Sequence, residues 1–458
     1  MDTNAEKKYF FEALSLFYET QWLNNIAVTE ILTKESLDAI PKKWIEHLQI
    51  LENDEFNDII ARKAIKPEWP DSLKKYVEKC QNINRLPSIQ ISPSKLELPQ
   101  KFKIGLSRKK QHEIIHFAHL VHTQCKLHNI QTIIDLGAGL GYICQILHYL
   151  YGYQVLGLEK DIENVNRACI RQEKLHLDSL TKVKYIHCNV TRDSADTIES
   201  ILQQEFPGFT NVCLIGLHAC GDLSANASRI FCKIKSIKLF ILISCCYHKL
   251  SISKNVHTPL QKKQYFHNFP TSNCLRETIA AHNFDIGQFL RIPFLRLASQ
   301  ESADKWYDMS KEKHDEHSFH VLARAVLELY SQQNNLVLKK KVQKGTRKSQ
   351  CSSFQTYVKD SLLRYDLVPD TNVKLTGNVI VHDELEKGIT QVWEEQNQKL
   401  EIVKIYSGLQ IMLQLPAESL ILQDRLSWLH EQSLEAVIVP VMNKSISPRS
   451  YAIVSHKN

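Results

Sequence analysis

Three glycines at alternate positions, Gly137, Gly139 and Gly141, constrain this chain more than any other feature. They follow Thr132-Ile133-Ile134-Asp135-Leu136, whose β-branched start suits a buried parallel strand. A turn built on glycine lets backbone approach a ligand closely, because no Cβ intervenes. The apolar stretch from Tyr142 to Tyr151 then reads as a helix packed on a sheet. Val155 to Leu158 is a second strand, closed by Glu159. Strand, glycine turn, helix and strand make a βαβ unit, so the chain is α/β with a parallel sheet. An acidic side chain roughly 20 residues past such a turn usually holds ribose hydroxyls.

Two kinds of cofactor use this layout. A dinucleotide fold wants G-x-G-x-x-G, with a helix N-terminus facing pyrophosphate. Here the spacing is G-x-G-x-G, and position 142 is tyrosine. Asp135 stands just before the turn, where an anion repels pyrophosphate and attracts an ammonium. S-adenosylmethionine carries an ammonium and a sulfonium and no phosphate, so the charges favour it. The stretch resembles motif I and the following acidic motif of class I (Rossmann-like) methyltransferases. That resemblance implies that Asp135, Gly137, Gly139 and Gly141 surround the methionine end and that Glu159 binds the ribose. The plain alternative is a βαβ unit whose glycines serve packing only.

A chain of 458 residues has room for two or three domains, or one large domain with insertions. With 43% hydrophobic and 23% charged residues it is globular. Its net charge of +7 permits a nucleic-acid partner without requiring one. The twelve cysteines are scattered through apolar segments, and the N-terminus is polar, unlike a signal peptide. A reducing cytoplasm or nucleus with free thiols is expected. The apolar run Leu239 to Tyr247 is too short to span a membrane.

Residues 1–100 read as a helical N-terminal domain, beginning with the stripe Tyr9, Phe10, Ala13, Leu14, Phe17 and continuing through helices near 31–40, 44–51 and 56–65. Five prolines between 67 and 99 then break the helical pattern and mark a loose boundary. A core over 101–260 opens with a helix capped by Ser107, whose first-turn Arg108, Lys109 and Lys110 are either solvated or meet a substrate phosphate. After a third strand, Val183 to His187, come Cys188-Asn189-Val190. Many class I enzymes carry an acidic residue there, against adenine. By that resemblance Asn189 and the adjacent Val190 take the role, with Asp193 as a second candidate.

Two further apolar strands, Val212 to Leu217 and Leu239 to Ile243, run into His218-Ala219-Cys220-Gly221-Asp222-Leu223-Ser224 and Ser244-Cys245-Cys246-Tyr247-His248-Lys249. Open α/β sheets bind ligands at the carboxyl ends of their strands. If these strands are neighbours, His218, Cys220, Asp222, Cys246 and His248 converge on one pocket. GLHACGDLS with SCCYHKL resembles the methyltransferase-like protein 25 family. A related pair, H-x-C-G and C-C-x-H, occurs in the eukaryotic tRNA 2′-O-methyltransferase that acts on the acceptor stem. The likeness covers 105–250 and resumes over 420–454, where LILQDRLSWLHEQ, AVIVPVM and SPRSYAIVS are similar to that family.

A Rossmann-like class I methyltransferase sheet is therefore expected, with a mostly helical insertion over 261–410. That insertion holds the basic run 339–348, either a solvated linker or a phosphate-contacting loop. A helix and β-hairpin over 411–458 would return to complete the sheet. His314, His317 and His320 fit a partly exposed helix better than a metal site. His218 and His248 are the candidate bases, since imidazole titrates near neutral pH, and Asp222 would orient one of them or bind substrate. Asn-Pro-Pro-Tyr, with which many enzymes grip the exocyclic amine of adenine, is replaced by His218-Ala219-Cys220-Gly221, which argues against base N-methylation. Zinc on Cys220, Cys245, Cys246 and His248 is disfavoured, because adjacent cysteines on a strand point apart and no C-x-x-C exists, so no metal is expected. RNA is the favoured methyl acceptor. A protein or small-molecule acceptor, or a non-catalytic binding module that keeps the fold, are the alternatives.

Overall fold

The computed structural model describes residues 3–88, 97–253, 263–342, 346, 352–369 and 382–457. Its strands are, in chain order, β1 (Thr132–Leu136), β2 (Gln154–Glu159), β3 (Val183–His187), β4 (Val212–Ala219), β5 (Ile237–Ser244), β6 (Leu336–Lys340), β7 (Tyr365–Pro369), β8 (Glu435–Pro440) and β9 (Tyr451–His456). The chain divides into two compact units. One comprises Met1–Ser15, Asn82–Ser302 and Gln414–Asn458, and the other Leu16–Gln81 and Ala303–Leu413.

The first unit holds a seven-stranded sheet in the order β3-β2-β1-β4-β5-β9-β8. Strands β1 to β5 are parallel, and β9 and β8 close the sheet as an antiparallel pair. The alternation of side chains fills both faces. Ile133, Val155, Cys213 and Leu239 enter one apolar cluster, beneath the helices Arg108–Leu127 and Tyr142–Tyr151. Their successors Ile134, Leu156, Leu214 and Phe240 enter the other, beneath the helices Ala195–Glu205, Asp222–Lys233 and Gln414–Glu431. Because both faces are covered, these strands read as near-continuous apolar runs. Each fully buried aliphatic side chain contributes about 1.5–3 kcal/mol of transfer free energy.

The chain winds outward from β1 through β2 to β3, then returns to lay β4 on the other side of β1. That reversal leaves a crevice beyond the carboxyl ends of β1 and β4, where open α/β sheets take their ligands.

The second unit is mainly helical, with the antiparallel ribbon β6–β7. Its helix Lys311–Gln333 carries His314, which is buried with Nε2 2.7 Å from Asn57 Oδ1, a partner within the fold. Residues 31–40 form turns, not the expected helix, and Glu35 there has a positive φ of 51°. Of the basic run, Lys339 and Lys340 lie in β6 and Lys341 pairs with Asp366 at 2.8 Å, while 343–345, 347 and 348 lie outside the described residues. No helix among the described residues is long and apolar enough to cross a membrane.

Candidate active site

Two cavities lie over the carboxyl ends of β1, β2 and β4, and Gly137 and His218 line both. One, of about 280 Å³, is bounded by Asp135, the turn 137–140 and, from the helix Arg108–Leu127, Lys110 and Glu113. The other, of about 500 Å³, is bounded by Glu159, Asn189, Val190, Cys220, Asp222 and Lys249. Together they make a cleft along the switch point of the sheet.

Asp135 is buried at the floor of this cleft. It accepts a hydrogen bond from the Cys144 thiol at 3.1 Å, and no cation among the described residues pairs with it. Burial pushes its carboxyl up to about 7, against the Cys144 hydrogen bond and reinforced by the nearby Glu159 charge. A cation arriving here would relieve that penalty. Glu159 closes β2 and ties down the glycine turn: Oε2 accepts from the Gly139 amide at 2.9 Å and Oε1 from Asp161 at 3.0 Å. A carboxylate offers about four acceptor sites, so lone pairs remain for hydroxyl donors.

The three glycines divide by role. All have positive φ, at 75°, 56° and 71°. A Cβ on Gly139 would meet nothing closer than 4.0 Å, so here the backbone borders open space. A Cβ on Gly141 would lie 2.3–2.6 Å from the Tyr185 ring and hydroxyl, and that hydroxyl donates to Gly141 O at 3.1 Å. Gly141 lines neither cavity; it lets Tyr185 pack under the turn.

His218 sits where β4 slips register against β5, between Leu217 and Ala219. Such a bulge re-aims a side chain. Its φ of 67° is left-handed, which costs a non-glycine residue about 1–2 kcal/mol. The ring Nε2 lies 3.1 Å from Oε2 of Glu113, and Ser447 Oγ donates to Oε1 of the same carboxylate at 2.6 Å. Glu113 is buried, with Lys109 Nζ 3.8 Å away. Burial alone would raise its carboxyl, but the His218 and Ser447 hydrogen bonds, with the His218 and Lys109 charges, outweigh it and hold it below the usual range. Sequence reasoning did not find Glu113. Its signal was an acid on the stripe that continues as Phe117, Val121 and Cys125, all buried.

The other expected residues separate. Asp222 lines the cleft, but its oxygens accept from the Ser251 amide at 3.0 Å and from Asn268 Nδ2 at 2.6 Å, so it holds the loop after β5 and contacts neither histidine. His248 does not line the cleft; its Nδ1 lies 3.2 Å from Ser299 Oγ, and burial lowers its pKa. Cys246 is likewise outside the lining, so β4 delivers His218, Cys220 and Asp222 to the cleft, whereas of the residues 244–249 after β5 only Lys249 lines it. Asn189 is exposed at the cleft wall beside buried Val190, while exposed Asp193 stands away from it, 3.9 Å from Lys233 Nζ. The cysteines do not point apart. Beyond Ser244 the chain leaves extended geometry, with φ −117° and ψ 71° at Cys246, so strand alternation no longer applies and the sulfurs of Cys220, Cys245 and Cys246 lie within 4.8 Å of one another.

Residues 109–253, the span that carries these elements, match a family described as "Methyltransferase domain". The chain contains a methyltransferase domain. The chain is similar to mouse "Probable methyltransferase-like protein 25", 27% identical over 315 residues, covering 65% of this chain and 45% of that protein. The human protein of the same name is 27% identical over 301 residues, with the same coverage. The chain thus spans about half the length of these relatives. Among solved structures, coclaurine N-methyltransferase bound to N-methylheliamine and SAH is 11% identical, covering 91% of this chain and 99% of that one at a TM-score of 0.24. TrmK of M. capricolum in complex with S-adenosyl-homocysteine is 16% identical, covering 27% and 54% at 0.20. The fold itself rests on the strand order above.

The cleft suits S-adenosylmethionine by its own donors. Asp135 is a buried carboxyl that no cation among the described residues pairs with, and Gly139 is open backbone. A pyrophosphate would meet Asp135 as a like charge.

Proposed function

We propose that the chain is an S-adenosylmethionine-dependent methyltransferase that methylates a hydroxyl of RNA. The observation that carries the reading is the cleft itself, with uncompensated Asp135 at one end, Glu159 at the other and His218 common to both cavities. Asp135 binds the ammonium of the methionine end, the backbone at Gly137 and Gly139 borders it, and Glu159 binds the ribose. Asn189 and Val190 flank the adenine. Gly141 contributes by shaping the turn.

S-adenosylmethionine supplies a methyl group on a sulfonium, which leaves as a thioether when the acceptor oxygen attacks in line. The protein must align the acceptor and take its proton. His218 is the base: Glu113 occupies Nε2, leaving Nδ1 for the acceptor hydroxyl. Glu113 is the positioning residue, fixing the ring and stabilising the imidazolium that results. Asp222 acts on the pocket by holding the loop after β5. Lys110, Lys160 and Lys249 line the cleft, and the cofactor has no phosphate for them. This supports a polyanionic acceptor, in keeping with the net charge of +7. Eleven free cysteines among the described residues support a reducing compartment, cytoplasm or nucleus.

The test is transfer from methyl-labelled S-adenosylmethionine to RNA, protein and small-molecule fractions of cells lacking the protein, with Asp135→Asn as control. Label in RNA, found on a hydroxyl by nucleoside analysis, is expected. Label in protein alone would overturn the acceptor, and no label despite bound cofactor would overturn the activity.

A further inference from the structure

Three thiols meet where β4 and β5 end, and nothing in the methyl-transfer reading uses them. Cys220 Sγ is 3.0 Å from Cys245 Sγ, and Cys245 Sγ is 3.5 Å from Cys246 Sγ. All three sulfurs fall within 4.8 Å of one another. The contacts are far longer than a disulfide's S–S bond of roughly 2.05 Å. Two thiolates on one tetrahedral zinc, each about 2.3 Å from the metal, stand about 3.8 Å apart. To reach that spacing Cys220 and Cys245 would separate by about 0.8 Å and Cys245 and Cys246 by about 0.3 Å, within the reach of side-chain rotation.

The backbone holds the three together. Gly221 N donates to Cys246 O at 3.2 Å, and a Cβ on Gly221 would lie 2.5 Å from Lys249 O, so the two strand-end loops are in direct contact. Beside the cluster, Arg425 donates to Ser244 Oγ and lies 5.3 Å from the Tyr247 ring centroid, and Tyr247 OH donates to Glu418 at 3.3 Å. These fix both flanks of Cys245 and Cys246. Preorganised thiolates of this kind select soft or borderline cations.

We propose that Cys220, Cys245 and Cys246 form a Zn²⁺ site with three protein ligands. Binding releases three thiol protons and involves no change of oxidation state. Among the described residues no fourth His, Cys, Asp or Glu joins the cluster, so the fourth position is open, as in zinc sites that bind water or a ligand. Cys220 also lines the cleft, so the ion would border the acceptor's space. The site stands independently of the methyl-transfer reading.

The experiment uses the full chain, expressed with zinc, kept reduced and dialysed against a weak chelator. Elemental analysis should find one zinc per chain, and cobalt substitution should give the near-ultraviolet sulfur-to-metal charge-transfer band of thiolate ligation. Cys246→Ser and Cys245→Ser should each lose the zinc, whereas Cys188→Ser should keep it. A wild-type far-ultraviolet circular dichroism spectrum and a cooperative urea transition in Cys246→Ser show that the variant is folded, whether or not the chain binds S-adenosylmethionine. Metal-free reduced wild type, full zinc in both Cys245→Ser and Cys246→Ser, or a Cys220–Cys245 disulfide in protein that never takes up zinc would each overturn the site.

Discussion

The buried carboxyl of Asp135 makes cofactor binding depend on pH in a calculable way. In the free protein burial raises it to about 7, from an ordinary 3.8. A carboxyl raised on folding opposes the fold as it ionises, so this group subtracts stability progressively between pH 3.8 and about 7. Binding an ammonium reverses the sign, because the complex requires the carboxylate. Each bound cofactor then releases a proton wherever Asp135 was protonated. With a free-state value of about 7, the dissociation constant scales as 1 + 10^(7 − pH). It should therefore fall about fiftyfold from pH 5 to pH 7, about 2.3 kcal/mol. The ligand's α-amino group, ordinarily near 7.7–8.0, stays mostly charged across that range. Calorimetric titration with S-adenosylmethionine in two buffers of different ionisation enthalpy measures both affinity and proton release. Asp135→Asn should show a nearly flat profile, near the weak acid-side affinity of the wild type. Constant wild-type affinity from pH 5 to pH 7, with no buffer-dependent heat, would mean that Asp135 does not bind the ammonium.

Other substitutions separate the roles. His218→Ala should slow transfer by about 10²–10⁴-fold while S-adenosylmethionine affinity stays within a few-fold, and His248→Ala, bonded to Ser299 outside the cleft, should slow it less than about threefold; single-turnover rates decide between them. Gly139→Ala should cost about 1 kcal/mol of stability but weaken the cofactor, whereas Gly141→Ala, which drives a methyl into Tyr185, should cost about 3 kcal/mol, read from urea midpoints. Asp424→Ala removes the acceptor of the Thr271 and Ser272 amides and the Ser272 hydroxyl, all buried, and should lower stability by about 3 kcal/mol; an unchanged midpoint would mean that the loop finds other acceptors.

What could be read from the sequence was what lies along it. The glycine turn, the apolar runs of β1 to β5 and the closing helix and hairpin each carry a local signal, because strands buried on both faces have no polar alternation and glycine marks positive φ. Asp135 and Glu159 border the cleft, Asp135 in one cavity and Glu159 in the other. The partnerships were hidden. Glu113 stands 105 residues before His218, and Ser447 follows Glu113 by 334, so only the closed sheet brings the three together. His218 was preferred over His248 by geometry alone, since a bulge in β4 turns one ring into the cleft while the other follows a 3₁₀ turn to Ser299. Gly141 was read as ligand-facing because spacing does not reveal which glycine has an aromatic ring beneath it. The three cysteines were considered together but expected to point apart, because strand alternation was carried past Ser244, the last residue of β5.

A crystal structure of the chain with S-adenosylhomocysteine would locate the cofactor relative to Asp135, Glu159 and His218. The amino group should lie within hydrogen-bonding distance of Asp135, the ribose hydroxyls on Glu159, and the sulfur in the space that His218 shares between the two cavities. Density for the ligand elsewhere, or a ligand in the cleft with its carboxylate against Asp135, would contradict that placement.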